Sequence, residues 1–391
     1  MANITLFSQI ISKLDKEKFK KLVKSKGTDK HNKGFSSWSH LVSMLFCQFA
    51  KSQSVRDISN GLRSATGNLN HLGIDRSPSK STISYQNKHR SHELFKDYYF
   101  QLLESLGQHP KFKQVKFRIK SKIFLLDSTT ISLCLSLFDW AKYKTAKGAV
   151  KMHTLLDFDG NLPAYVNITD GKTADNKGAN DIPLLKGSVI VADRFYNDFP
   201  LLNVWDSKGV FFVIRHKENL QFETLKENDL PDNRLQHILK DEIISLKNES
   251  SKSKYPGKLR RVSVWDEENS QVIELITNQF SWSPNTIGEL YKSRWQVEIF
   301  FRDIKQLLHI KSFIGTSENA VMIQIWTALI TILILKALKA QAKYEWYLSN
   351  LVAFIRLNLF VKIDLQLWLD KPFQEHIEPP PESLQGVLFS K

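Results

Sequence analysis

The segment from Tyr291 to Lys305 carries residue types that could hold a metal ion beside a phosphate group. On a single α-helix with about 100° between residues, four of its side chains fall within an arc of roughly 60°: Tyr291, Arg294, Glu298 and Lys305. A carboxylate flanked by Arg, Lys and a Tyr hydroxyl is suited to holding a divalent cation next to a sugar-phosphate backbone. The spacing therefore predicts metal-dependent chemistry on nucleic acid, although exposed helix faces also mix these residue types for solubility.

The length of this predicted helix separates the roles of its polar residues. Tyr291 and Lys305 are 14 residues apart, and such a separation is about 21 Å along a straight helix. They cannot contact the same phosphate. We expect Arg294 to lie near the metal, with Tyr291 and Lys305 contacting phosphates on either side.

Two more acidic residues, Asp127 and Asp193, directly follow apolar runs that predict buried strands. Between them, residues 151–158 and 162–169 predict two strands joined by a hairpin turn, and residues 175–185 predict a short helix. The order of strand, hairpin, helix, strand and later helix is typical of a ribonuclease H-like α/β core. In that core two carboxylates at neighbouring strand ends face a third on a helix.

The three predicted catalytic and metal-binding residues are Asp127, Asp193 and Glu298. Two Mg2+ ions about 4 Å apart can activate the attacking oxygen and stabilise the leaving oxygen of a phosphoryl displacement, and they need shared carboxylate ligands. His153, in the middle of a predicted strand, is interpreted as a packed or outer-sphere histidine. Four neighbouring acids are interpreted as decoys: Asp157, Asp159, Asp170 and Asp175.

Positive charge is concentrated in the first third of the chain. The 391 residues carry a formal net charge of +15, and residues 1–120 hold 22 Lys and Arg against 8 Asp and Glu. This asymmetry predicts nucleic-acid binding, although a ribosomal or chaperone-like surface would share it. The apolar spacing of the first 25 residues predicts an amphipathic helix with a basic face, and Ser54 is placed to cap a later helix.

A second predicted helix, within residues 77–90, is lined with hydroxyls, an amide and cations. Together with the helix after Ser54 it is similar to a helix-turn-helix pair, whose second helix enters a DNA groove. Its predicted DNA contacts are Lys80, Lys88 and Arg90. Any small helical bundle with a basic face would give a similar pattern.

Taken together, these residues resemble bacterial insertion-sequence transposases of the DDE class, in particular the insertion sequence 4 family. The signature of that branch, Tyr-x2-Arg-x3-Glu-x6-Lys, is matched in full from Tyr291 to Lys305. The resemblance extends to Leu-Asp-Ser-Thr around Asp127 and to Ala-Asp-Arg-Phe-Tyr around Asp193. It covers roughly residues 120 to 340.

The resemblance implies a homodimeric, Mg2+-dependent enzyme, with Mn2+ able to substitute, that binds the terminal inverted repeats of its own element. Such an enzyme cuts at the element's ends and joins the freed 3′-hydroxyls to target DNA. By this resemblance Asp127, Asp193 and Glu298 hold the metals, while Tyr291, Arg294 and Lys305 position the DNA end.

The predicted fold class is α/β, with a ribonuclease H-like core interrupted by a mostly β insertion. We expect a helical, basic DNA-binding domain at 1–118, a catalytic domain at 119–340 with its insertion at about 205–285, and C-terminal helices and a tail at 341–391. The resemblance accounts for the insertion, because this branch carries a β subdomain between the second and third acids. Its predicted strands are residues 210–215, 259–265 and 271–277.

The remaining sequence features predict a cytoplasmic, nucleoid-associated protein with no membrane partner. Cys47 and Cys134 lie in apolar surroundings without metal-ligand or redox spacing, and the N-terminus has no secretion signal pattern. The apolar segment 320–335 is 16 residues long and contains Gln324, so it predicts a buried core helix.

Two other functions remain open at this level. A ribonuclease H-fold nuclease without strand transfer would share the three acids and need no inverted repeats. A catalytically silent DNA-binding regulator, such as a decayed transposase, would still bind the ends of the element without cutting them.

Overall fold

The computed structural model describes residues 4–65, 67–108, 110–112, 121–133, 140, 142–144, 147–179, 182–232, 237–308 and 313–373. Cys134, the tail beyond residue 373 and the boundary predicted between residues 118 and 119 lie outside the described residues.

In the described part of the N-terminal region there are six α-helices. They are α1 (Leu6–Ser12), α2 (Lys16–Lys26), α3 (Ser37–Ala50), α4 (Val55–Ser64), α5 (Lys80–His89) and α6 (Glu93–Gly107). The single helix predicted over the first 25 residues is wrong, because Asp15 separates α1 from α2. The carboxylate of Asp15 accepts a hydrogen bond from the backbone N–H of Lys18 at 2.9 Å and so starts a new helix.

The connection between α4 and α5 differs from a tight helix-turn-helix turn. Ser54 caps α4 as predicted, and Ser79 caps α5 by accepting a bond from the N–H of Thr82. Residues 65–79 lie between the two helices and include a short 3-10 turn at Asn70–Leu72. The two helices are still in contact, but the connection is longer than the three or four residues that are usual for the motif.

The rest of the chain is built around one large sheet. Its strands are β1 (Ile123–Leu133), β2 (Lys142–Lys144), β3 (Lys147–Asp157), β4 (Leu162–Asp170), β5 (Val189–Ala192), β6 (Phe211–Arg215), β7 (Phe222–Glu227), β8 (Ile238–Leu246), β9 (Leu259–Asp266) and β10 (Gln271–Thr277). Strands β4, β3 and β1 are antiparallel neighbours, and β5 and β6 continue the sheet parallel to β1. β3 also pairs with the short strand β2, and the three strands predicted within 205–285 are present as β6, β9 and β10.

The predicted β insertion continues this same sheet. β6 pairs with β10, and the order then runs through β9 and β8 to β7. A buried ion pair braces this half: Arg260 donates to both carboxylate oxygens of Asp241, at 2.8 and 2.6 Å, and to the carbonyl of Trp282 at 2.6 Å. The insertion is therefore joined to the core strands by the β5–β6 backbone ladder, and its own strands β8 and β9 are linked by a buried, hydrogen-bonded ion pair.

Eight further α-helices lie among the described residues after β1. They are α7 (Asp175–Ala179), α8 (Phe199–Ser207), α9 (Glu249–Lys254), α10 (Pro284–Ser293), α11 (Trp295–Leu308), α12 (Glu318–Gln341), α13 (Leu348–Asn358) and α14 (Leu365–Asp370). Helix α12 is long and apolar enough to cross a membrane, but 83% of its apolar window is buried inside the protein. It contacts α3 and α6 from the N-terminal region as well as α11, which confirms the predicted core helix.

The sheet separates two apolar clusters. Leu125 of β1 belongs to the cluster that also contains Phe46 of α3, Val297 of α11 and Trp326 of α12. The next residue, Leu126, belongs to the cluster on the other face, because successive side chains in a strand point to opposite faces. By the same alternation, Asp127 is directed to the face that α11 covers.

Candidate active site

The pairing of β1 with β5 brings two predicted acids together. The parallel register matches Leu125 with Val191 and Leu126 with Ala192. The next residue of each chain segment is therefore an aspartate, Asp127 beside Asp193. Neighbouring strands are about 4.8 Å apart, and residues in register on parallel strands share a face.

The prediction that β1 ends at Asp127 is wrong, because the strand runs on to Leu133. Beyond Leu126 the pairing with β5 stops, while the pairing with β3 continues. The side of β1 next to Asp127 is thus left open toward Asp193. Asp193 caps the 3-10 turn Arg194–Tyr196, and its carboxylate accepts a hydrogen bond from the N–H of Phe195 at 2.9 Å.

An arginine links Glu298, the third predicted acid, to Asp127. The Nη2 of Arg294 lies 2.6 Å from a carboxylate oxygen of Glu298, and its Nη1 lies 3.7 Å from a carboxylate oxygen of Asp127. Arg294 therefore bridges the first and third acids. The side chains of Asp127 and Glu298 keep 17% and 32% of their surface exposed, so both carboxylates remain accessible to an ion or a substrate.

The single straight helix expected from Tyr291 to Lys305 is interrupted. Helix α10 ends at Ser293, α11 begins at Trp295, and Arg294 lies in the turn between them. The N–H of Arg294 bonds to the carbonyl of Tyr291, three residues back, as in a 3-10 turn. The 21 Å separation expected for Tyr291 and Lys305 therefore does not apply as it would on one straight helix.

The two aspartates are electrostatically unfavourable as a pair. Burial, and then the charge of Asp193, raise the pKa of Asp127 to about 7. The N–H of Ser128 and the guanidinium of Arg294 partly offset this by favouring the charged form. Burial also raises the pKa of Asp193. Positive charge placed between these carboxylates would lower the pKa of both aspartates.

Among the residues that the structure describes, no three His, Cys, Asp or Glu side chains are already arranged around a common ion position. At the acidic site Arg294 lies between Asp127 and Glu298 and supplies the local positive charge. The available donors are carboxylate oxygens, which Mg2+ and other hard divalent cations prefer. The chemistry of these side chains thus fits such a cation.

A cleft of about 470 Å3 opens beside the acids. Its lining residues are Asp127, Ser128, Thr129, Glu298, Phe301, Arg302, Lys305 and Gln306. Lys305 thus lies on the same cleft as the first and third acids. Arg302 is a further cation there that sequence reasoning missed, although its spacing of four residues from Glu298 was a usable signal.

Tyr291 is placed differently from the two cations. It is partly buried and packs against the apolar cluster, and burial is the main cause of the rise in its pKa. Its ring centre lies 5.8 Å from the guanidinium carbon of Arg294. The arrangement orients the arginine through a cation–π contact.

A fourth carboxylate, Asp175, also lies at this site. It was interpreted as a decoy in the sequence, but it accepts a hydrogen bond from Ser128 Oγ and pairs with Lys151 Nζ at 3.2 Å. Its charge contributes to the raised pKa of Asp193. No local pattern indicates this, because the contact depends on α7 packing against β3.

His153 is fully buried behind the site. Its Nε2 lies 3.0 Å from Thr169 Oγ1, and burial lowers its pKa to about 4. Gly178 of α7 lies against the imidazole so closely that a Cβ at this position would be 2.4 Å from the ring. His153 is thus a packed residue, as expected, and Gly178 lets α7 approach the strand.

The predicted N-terminal contacts divide into two kinds. Lys80 and Lys88 are exposed on α5. Arg90 is instead 5% exposed, and its guanidinium donates to the carbonyls of Phe35 and Ser36 at 2.9 and 3.2 Å. It sits inside the N-terminal fold because α5 ends at His89, where the chain turns inward.

Comparison with known proteins identifies two sequence families along the chain. The family described as "Transposase DDE domain" matches residues 118–334, more than half of the chain. A domain of unknown function matches residues 2–75. The second match covers α1 to α4 and ends before α5.

Three relatives are named as transposases. One, for insertion sequence element IS5377 of Geobacillus stearothermophilus, is 30% identical over 240 residues, which are 61% of this chain and 63% of the relative. A second, from Sinorhizobium fredii, is 30% identical over 57% of this chain and 63% of the relative. A third, for element IS4SA of Synechocystis, is 27% identical over 74% and 80%. The chain thus spans less than two thirds of the first two relatives.

Proposed function

The chain belongs to the transposase DDE domain family, and on this premise we propose that it is the transposase of a bacterial insertion sequence. We propose that it binds the terminal inverted repeats of its element, cuts at the ends and transfers the 3′-hydroxyl ends into target DNA. The main support is the β1–β5 register. It sets Asp127 beside Asp193, on the face of the sheet covered by α11, the helix that carries Glu298.

We further propose that the core is ribonuclease H-like and that the chain belongs to the insertion sequence 4 branch. Three antiparallel strands followed by two parallel ones, in the order β4, β3, β1, β5, β6, support this fold. Tyr291, Arg294, Glu298 and Lys305 support the branch, since all four signature residues are present.

Divalent metal dependence follows in general from the family, and the proposed ion is Mg2+, with Mn2+ able to replace it. The residues that would hold it are Asp127, Asp193 and Glu298. When bound, such ions activate the attacking oxygen and stabilise the leaving oxygen of a phosphodiester. The raised pKa values of both aspartates support this role, because nearby positive charge would keep them ionised.

The cations around the cleft have distinct proposed roles. Lys305 and Arg302 line the cleft and can contact phosphates of the DNA strand that enters it. Arg294 balances Asp127 and Glu298 and is oriented by the ring of Tyr291. The side chains thereby hold the phosphodiester against the acids and restrict its orientation.

At the N-terminal surface, Lys80 and Lys88 are the proposed DNA contacts of α5. Arg90 supports that surface from inside by fixing the Phe35–Ser36 segment. We propose that the protein acts as a homodimer in its DNA complex, within the bacterial cytoplasm at the nucleoid.

The decisive experiment is cleavage of a labelled duplex that carries the gene's own flanking repeat, with Mg2+ or with chelator. Wild-type protein and Asp193→Ala are compared, and binding of the same duplex is measured in parallel. We expect metal-dependent cutting at the repeat boundary that the variant lacks. Binding without cutting in Mg2+ or Mn2+ would instead indicate a regulator, and cutting that ignores the repeat would indicate a structure-directed nuclease.

A further inference from the structure

A basic groove runs along α2 on the surface of the N-terminal region. It has a volume of about 480 Å3 and lies between α2, the segment around Asp29 and Trp38, and Gly73. Its four lysines are Lys16, Lys20, Lys24 and Lys30. We call this feature the α2 groove. Its lining residues lie outside α5.

The lysines of α2 divide between two faces of the helix. Lys18 Nζ donates to Ser105 Oγ at 2.9 Å, and Lys26 Nζ pairs with Asp97 at 2.6 Å, so these two face α6. The three that line the groove recur every fourth residue. That spacing places them on one face of the helix, where they form a row directed away from α6.

The acidic residues near this row neutralise little of its charge. Asp29 accepts hydrogen bonds from the N–H and hydroxyl of Ser37 at 2.8 and 2.7 Å and lies 3.4 Å from Arg90. Its charge is thus already balanced. Glu17 pairs with Lys20, but their side chains are 75% and 59% exposed, and such pairs contribute little and exchange readily.

Aromatic packing gives the groove a firm wall. Lys16 Nζ lies 5.1 Å from the ring centre of Trp38, whose indole N–H donates to the carbonyl of Leu72 at 2.9 Å. Gly73 has a φ of 70° and lies against this amine so closely that a Cβ at position 73 would be 2.5 Å from Lys16 Nζ. Lys16 is therefore held against the wall of the groove, while Lys20 and Lys24 are exposed along it.

The α2 groove continues toward α5. Gly27 and Lys30 line both this groove and a neighbouring cavity of about 630 Å3, whose other wall includes Tyr85 and His89 of α5. Tyr85 is 60% exposed and its ring stacks on His89. One continuous polar surface therefore joins the lysine row to the helix proposed to contact DNA.

The geometry of the row matches a linear polyanion. Three amines spaced four residues apart span about 12 Å of helix axis, and each DNA strand places one phosphate per about 3.4 Å of duplex axis. Lysines act as flexible point charges without base-reading geometry. The row could thus neutralise several consecutive phosphates whatever their sequence.

We propose that the α2 groove binds the sugar-phosphate backbone of duplex DNA that flanks the stretch contacted by α5. This rests on the proposed function for the identity of the partner as DNA. It assigns a role to the part of the chain that matches a domain of unknown function. The groove supplies affinity and register along the duplex, whereas α5 supplies any discrimination between sequences.

The test measures binding of the full-length protein to a repeat duplex and to a scrambled duplex across a range of KCl concentrations. The variant Lys16→Ala/Lys20→Ala/Lys24→Ala is compared with Lys13→Ala/Lys18→Ala/Lys21→Ala, which removes the same charge outside the groove. We expect the groove variant to lower the slope of log K against log salt by about 2 to 3, since each phosphate contact contributes about 0.9. The control should lower it by less than about 1.

Affinity for both duplexes should fall by the same factor, so that their ratio is unchanged. Substitution of the three groove lysines by arginine should retain wild-type affinity. Thermal denaturation of each variant excludes misfolding as the cause of lost binding. Equal slopes for the groove variant and the control would overturn the proposal, as would a loss confined to the repeat duplex.

The failure of this inference can be told apart from failure of the proposed function. Wild-type protein that binds and cuts the repeat duplex, with a groove variant equal to the control, would refute the groove alone. Wild-type protein that binds no duplex would refute both. Stronger dependence on the groove for duplex RNA than for duplex DNA would indicate RNA as its partner and overturn the proposal as stated.

Discussion

The α2 groove and the acidic end of the β1–β5 pair differ in both charge and burial. Residues 1–120 carry +14 of the chain's +15, and the lysines on the exposed side of α2 are largely solvated. At the sheet, Asp127 and Asp193 are shielded enough for their pKa values to rise. Solvated cations give an affinity that falls as the salt concentration rises, because salt screens their charge. Shielded acids instead give a strong local field that is suited to holding ions and reacting groups.

This comparison predicts that binding and chemistry can be separated by mutation. Changes at the acids should remove cleavage and leave DNA affinity intact. Changes at the basic surfaces should weaken binding in a salt-dependent way and leave the chemical step intact.

Glu298→Gln should reduce cleavage by roughly 10³-fold or more, because it removes a carboxylate from the site where charge develops in the reaction. Affinity for the repeat duplex should stay within about twofold, since no exposed cation is lost. The measurement is single-turnover cleavage beside equilibrium binding. Lys305→Ala is the matched control, and it should weaken binding of the DNA end. An equal loss of binding in both variants would contradict the separation.

Asp175→Asn should reduce cleavage by about 10- to 100-fold, because positioning partners of metal-binding groups typically contribute that much. The variant keeps the shape of the side chain and an oxygen that can accept from Ser128 Oγ–H, but it loses the charge that pairs with Lys151. Its control is Asp170→Asn, which alters an exposed carboxylate bonded to the N–H and hydroxyl of Thr173. Equal cleavage rates for the two variants would show that Asp175 has no part in the reaction, as the sequence analysis predicted.

Arg90→Ala and Lys88→Ala compare a buried and an exposed cation two residues apart. Loss of Arg90 should destabilise the protein by about 3 kcal/mol, because Asp29 and two carbonyls lose their partner. Lys88→Ala should leave stability within about 0.5 kcal/mol and lower the salt slope of DNA binding by about 1. Urea denaturation and salt titration measure the two effects. A stable Arg90→Ala with weakened DNA binding would restore Arg90 as a contact.

The smallest expected effect is on stability against pH in the absence of metal. The pKa of Asp127 is raised from 3.8 to about 7. Its contribution to the stability of the folded protein is therefore fully present below pH 3.8 and is lost as the pH rises through 7. Wild-type protein should therefore lose a few degrees of Tm relative to Asp127→Asn between about pH 4 and pH 7. Added Mg2+ at pH 8 should raise the Tm of wild type more than that of the variant. A Tm difference that does not change with pH would contradict the buried, acid-paired environment.

Much of the local structure could be predicted from the sequence. The strand β10 at Gln271–Thr277, the turn between β3 and β4, the cap at Ser54 and the core helix α12 follow from apolar spacing, turn chemistry and capping. These features depend on neighbouring residues, so short stretches of sequence contain the information.

The misplaced elements depended on contacts that are distant in the chain. β1 continues past Asp127 because β3 pairs with it along its full length. The helix predicted from Tyr291 to Lys305 is divided at Arg294, whose side chain is held by Asp127 of another element. Arg90 was predicted to contact DNA like Lys80 and Lys88, but its guanidinium is buried because it donates to the carbonyls of Phe35 and Ser36.

The sequence by itself determined which residue types are available: the three predicted acids, the signature around Glu298 and the excess of cations before residue 121. Tertiary structure alone decided which of them meet. Strand register set Asp127 beside Asp193, and packing of α7 added Asp175 to them. Packing of α2 against α6 likewise left one row of lysines free to line a groove. Such meetings depend on long-range packing and pairing free energies, which spacing along a single segment does not contain.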